Sequence, residues 1–153
     1  MQRGSIFALA ALMALAATAL TAAAALAAPT GKIAYVSNVD GPDRDLYTVS
    51  SRGGIPVPLT ATAADEQDPS WSPNGKQIAY LSDADGDEDI WIANADGSSP
   101  RQVTFDATPQ FAIDWSPDGK TLVFNTSGSP NTIWAIKPDG TGLRQLTSYV
   151  GPG

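Results

Sequence analysis

Between Lys32 and Thr147 the chain repeats itself at a period of about 44 residues, and that repetition restricts its fold more than any other feature. The clearest copy runs from Asp68 to Thr104. Ser72-Pro73-Asn74-Gly75 reads as a turn: proline sets φ near −65° at the second position, asparagine suits the third and glycine takes the positive-φ position. Pro73 excludes a type I′ turn, whose first central residue needs φ > 0, so a type I turn followed by a glycine bulge is expected. Lys76 to Leu81 (KQIAYL) and Asp89 to Ala93 (DIWIA) are short and rich in β-branched and aromatic residues, as strands are. DADGDE between them reads as a hairpin loop, Asn94-Ala95-Asp96-Gly97 as the next turn and Arg101 to Thr104 as the last strand.

Alternation sets the architecture. Ile78 and Tyr80 share one face and Ala79 and Leu81 the other, while Ile90 and Ile92 oppose Trp91 and Ala93. Both faces are apolar, so each small sheet requires cover on both sides. Sheets stacked face to face around an axis supply it. The expected fold is all-β, a partial β-propeller of about three four-stranded antiparallel blades. The blades fall at about 31–60, 68–104 and 111–147. The first has no counterpart of the strand at Pro69-Ser70-Trp71, and Ala61 to Gln67 reads as a polar connection into the second.

Residues 1–27 lie outside this pattern. Arg3 gives a positive start, Ile6 to Leu20 is uncharged and apolar, and Ala25-Leu26-Ala27 matches a small-x-small cleavage site. A signal peptide cut after Ala27 is expected, leaving residues 28–153 exported to the periplasm or the medium. The rival is an uncleaved anchor. The chain has no cysteine, so export brings neither disulfides nor a lipid-modified cysteine. Removing Arg3 from the 9 basic residues leaves 8 against 16 acidic, a net charge of −8. That balance disfavours nucleic acid and anionic membranes as partners.

Three signatures recur: [PIS]-x-W-S-P-[ND]-G-K, a strand pair ending in [DT]-[IL]-[WY], and [DG]-G-x-x-x-x-[LV]-T. Over about residues 31–147 they resemble the WD40-like repeat of the TolB family of periplasmic β-propellers. The resemblance implies a propeller that binds partner proteins in the cell envelope. The sequence departs from that family in having about half of its six blades and no α/β domain ahead of them.

Chemistry is sparsely represented. Without histidine or cysteine, no Ser-His-Asp or Cys-His nucleophile and no zinc site built on those ligands can be assembled, and no catalytic residue is assigned. Asp114 and Asp118 flank a turn, where carboxylates usually bond local backbone, and Asp68 is read as a strand-opening residue of the same kind. Asp83 to Asp89 alternates aspartates as calcium loops do, but departs from the EF-hand pattern at Glu88 and Asn94. The matching loops hold Asp40, Asp43 and Asp45 in the first repeat, but Ser127, Ser129 and Asn131 in the third. A solvated hairpin is therefore expected, with no metal and no cofactor. Trp71, Trp91, Trp115 and Trp134 recur in register on apolar strands, which favours packing over a sugar platform.

An open arc leaves two blade faces uncovered, each about 320 Å² in projection. A protein partner is thus expected, either an unidentified envelope protein or a second copy completing a six-bladed ring. The alternative is a fragment of a longer propeller, such as the non-catalytic domain of a peptidase.

Overall fold

The computed structural model describes residues 31–148 apart from 107 and 128–130. The expected signal peptide lies outside the described residues, as does most of the Ser127-Gly128-Ser129 loop. Eleven strands and no helix are found among the described residues. They form three antiparallel meanders. Blade 1 has β1 (Lys32–Ser37), β2 (Asp45–Ser50) and β3 (Val57–Pro58). Blade 2 has β4 (Glu66–Trp71), β5 (Gln77–Ser82), β6 (Asp89–Asn94) and β7 (Arg101–Gln102). Blade 3 has β8 (Gln110–Trp115), β9 (Leu122–Thr126), β10 (Thr132–Ile136) and β11 (Arg144–Gln145).

The turns form as their proline and glycine dictate. Gly75 and Gly119 sit at φ 65° and 69°, and their N–H groups donate to Ser72 O and Ser116 O at 2.8 Å.

Blade 2 is covered on both faces. Ile78, Tyr80, Trp71 and Ala93 pack against Ala34 and Leu46 of blade 1. Ala79, Leu81, Ile90, Ile92 and Val103 pack against Ile113, Trp115, Leu122, Phe124 and Ile136 of blade 3. Ile78, Ile90 and Leu122 are fully buried, so the core consists of two seams between successive blades.

Two strands begin earlier than the hydrophobic pattern suggests. Glu66 opens β4 and Gln110 opens β8, and both side chains are buried. Each of these strands is bulged, the register slipping between Gln67 and Ser70 and between Phe111 and Asp114. The bulges place Asp68 at φ 47° and Ala112 at φ 53°, equivalent positions one repeat apart.

Candidate interaction surface

The seams define which surfaces are left open. Alternation places Ile33, Tyr35, Tyr47 and Val49 on the face of blade 1 turned away from blade 2. These positions match Ile78, Tyr80, Trp91 and Ala93, through which blade 2 docks on blade 1. Tyr35 and Tyr47 stack with ring centroids 5.8 Å apart. The Tyr47 hydroxyl donates to Asp40, and that bond, with burial, pushes its pKa up to about 12. At the other end, Val123, Ile133, Ala135 and Leu146 occupy the positions through which blade 2 meets blade 3. Ile133 is 37% and Leu146 48% exposed. Each open face thus has most of the side chains of one half of a seam, although Asn125 stands where blade 2 has Leu81, and Tyr47 and Ala135 are already buried.

The inner edge of blade 1 has no partner strand among the described residues. In blades 2 and 3 the second strand pairs with an inner strand, β4 or β8, whereas β1 pairs only with β2 among the described residues. The indole of Trp71 records the difference. Trp115 Nε1–H donates to Ser70 O at 3.0 Å, from the inner strand of one blade to that of the blade before. Trp71 is the equivalent residue one repeat earlier, and its buried Nε1 has no hydrogen-bond partner among the described residues.

Inner-strand carboxylates serve neighbouring blades as much as local backbone. Asp68 Oδ2 accepts from Ala112 N–H, 44 residues along (3.2 Å), and Asp114 Oδ1 accepts from the Ser70 hydroxyl (3.2 Å) and from Trp115 N–H (2.8 Å). Asp118 keeps to its own turn, accepting from Ser116 Oγ and Lys120 N–H, and these bonds hold its carboxyl below the usual range. All four tryptophans belong to the two core clusters or pack against them.

The aspartate-rich loop divides into separate roles. Asp83 accepts from the Asp65 N–H. Asp85, Asp87 and Asp89 bring carboxylate oxygens within 4.8 Å of one another, the geometry by which they could hold a cation. Asp89, however, is buried, and the Gln102 amide donates to both Asp85 (2.5 Å) and Asp89 (2.9 Å). That amide supplies the positive dipole a cation would otherwise provide. Burial raises the Asp89 pKa, opposed by bonds from Thr104 and Gln102. Millimolar calcium is accordingly expected to leave the melting temperature unchanged, measured by differential scanning fluorimetry; a rise of several degrees that Asp85→Asn abolishes would assign a calcium site here.

Sequence reasoning missed the polar joints of the seams. In blade 2, Ile90 N–H donates to Thr104 Oγ1 (2.8 Å), whose own proton can go to Asp89 Oδ1 (2.8 Å) or Gln110 Oε1 (3.0 Å). The Gln110 amide in turn donates to Asp89 at 3.2 Å. Blade 1 repeats the arrangement: Leu46 N–H donates to Thr60 Oγ1 (2.8 Å) and Thr60 bonds Asp45 (3.1 Å). In blade 3, Ile133 N–H donates to Thr147 Oγ1 at 2.9 Å. The recurring threonine that closes each repeat was the only available signal.

Small four-stranded antiparallel sheets stacked face to face, with buried joints between consecutive copies, make this a β-propeller protein of TolB-like architecture. The chain belongs to the family of the tricorn protease N-terminal β-propeller domain, whose model matches residues 32–150. Among solved structures it is similar to a protein assigned as TolB from Agrobacterium tumefaciens, at 26% identity and a TM-score of 0.68, covering 78% of this chain and 43% of that one. It is also similar to TolB from Acinetobacter baumannii, at 23% identity and a TM-score of 0.67, covering 77% of this chain and 30% of that one. The tricorn protease matches in fold at 18% identity and a TM-score of 0.60, covering 80% of this chain and 12% of that one. The chain therefore spans less than half the length of these structures. No curated protein matches it in sequence.

Proposed function

We propose that the chain is an exported, non-catalytic protein-interaction module of the cell envelope, and that its first partner is a second copy of itself. The observation that carries this reading is the match between its two open ends. Blade 3 ends on Val123, Ile133, Ala135 and Leu146, and blade 1 begins on Ile33, Tyr35, Tyr47 and Val49. Those are the two half-seams already joined within the chain on either side of blade 2. Joining the end of one copy to the start of another is a heterologous contact, and two such contacts related by a two-fold axis close a ring of six blades. Counting both sides of both seams, about 1,300 Å² is covered, within the range of a stable interface. The lack of histidine and cysteine supports a non-catalytic role, and the apolar N-terminal segment supports export.

Size-exclusion chromatography with light scattering tests the proposal. The expected result is a discrete species of twice the chain mass that becomes monomeric in Ile133→Asp, because that carboxylate would be buried in the new seam. A wild-type monomer overturns the self-pairing reading. The 43% coverage of the Agrobacterium relative favours a second reading, in which a longer polypeptide supplies the remaining blades. Polydisperse association of the isolated chain supports that reading.

A further inference from the structure

The two seams use the same joint with one substitution between them. Where β8 opens with Gln110, β4 opens with Glu66. The Gln110 amide donates to Asp89. Glu66 faces the equivalent Asp45, and an ionised carboxylate has no proton to offer it. Glu66 is 2% exposed, its Oε1 accepts from the Thr62 hydroxyl at 2.8 Å and from Ser82 at 3.4 Å, and its Oε2 is buried without a partner. Asp45 accepts from Thr60 Oγ1 and from Thr62 N–H (3.2 Å), so both carboxyls converge on the same two threonines. Among the described residues, no cation compensates them. Arg44, whose carbonyl accepts the Glu66 N–H, is turned to Asp65 at 2.8 Å, and the Asp65 N–H is bonded to Asp83. On the blade 2 side the titratable neighbour is buried Tyr80, whose pKa is raised to about 12 by burial and then by the Glu66 charge, so it stays neutral.

We infer that the buried Glu66 carboxyl carries a proton and offers it to Asp45, as the Gln110 amide offers its own to Asp89 at the next seam, making this seam tight in acid and looser as pH rises. Burial raises the Glu66 pKa, bonds from Thr62 and Thr60 oppose the rise, and Asp45 adds to it by charge repulsion and by hydrogen bonding. A carboxyl whose folded pKa lies above its ordinary 4.5 contributes stability that is fully present below that value and is lost as pH rises through the folded value. Asp89 shifts in the same direction, while Asp65, Asp96, Asp118 and Asp139 shift the opposite way. The informative quantity is therefore the difference between wild type and variant.

Thermal melts of the wild type, Glu66→Gln and Gln110→Glu at pH 4.5 and pH 7.5 test the inference. Glu66→Gln gives the first seam the side chain of the second, and should melt within about 1 °C of wild type at pH 4.5 and several degrees above it at pH 7.5. Gln110→Glu moves the device to the other seam, and should match wild type in acid and fall several degrees below it at pH 7.5. A gap that does not change with pH for either variant overturns the proposal, as does a Gln110→Glu protein that fails to fold at pH 4.5. If 1 mM calcium removes the wild-type deficit at pH 7.5, the pair holds a cation instead of a proton, and the inference fails.

Discussion

Replacing Gly97 with alanine is expected to destabilise the protein by about 3 kcal/mol or more, read as a fall in the urea midpoint at constant m-value. Gly97 closes the turn after β6, its N–H donating to Asn94 O at 2.9 Å. Two costs coincide there. Its φ of +83° is one that an L-residue adopts only with strain, and a Cβ would come within 2.2 Å of the Leu59 carbonyl oxygen in blade 1. That oxygen belongs to the backbone of the neighbouring blade, so relief requires opening the seam. Gly140 is an internal control: it has the same φ of +83°, but its Cβ would meet Val103 O at 3.3 Å. Gly140→Ala should cost about 1–2 kcal/mol, mostly the conformational part, because Val103 O need yield only slightly. Equal losses at the two sites would show that the turn strain is everything and the seam contact nothing.

The second large effect is expected at Trp115. It is 7% exposed in the blade 2–blade 3 cluster, and truncation to alanine should cost about 3–5 kcal/mol. Phenylalanine separates packing from hydrogen bonding. Trp115→Phe leaves Ser70 O without its 3.0 Å donor, whereas Trp71→Phe removes a buried N–H that has no acceptor. Both substitutions lose similar volume, so Trp115→Phe should be the more damaging by about 1–2 kcal/mol. Matching equilibrium denaturation curves for the two would mean that Trp71 Nε1 has an acceptor after all.

These two sites mark the border of what could be read in advance. The turns were legible because Pro73 and Gly75 constrain φ locally, and the stacked sheets because Ile78 and Trp91 oppose Ala79 and Ile90 within one repeat. Contacts between repeats were not. Asp68 looked like a residue bonding its own strand, yet its acceptor oxygen meets Ala112 N–H in the next blade. Glu66 falls in the polar connection expected into the second blade, and Gln110 just ahead of the third blade's expected start at 111, because a polar side chain before a tryptophan strand carries no hydrophobic signal. Their burial follows from threonine and aspartate partners that a single repeat does not place beside them. Asp89 shows the same limit. In sequence it ends a run of loop aspartates, but in space it belongs with Thr104 and Gln110, while Asp85 stays at the surface.

Among the described residues, blade 2 touches both of its neighbours, and neither of the others packs on more than one. In a linear array with only nearest-neighbour coupling, each unit is held by the sheets it touches, and the middle one by two. A lesion in blade 2 therefore decouples the two flanking sheets from each other.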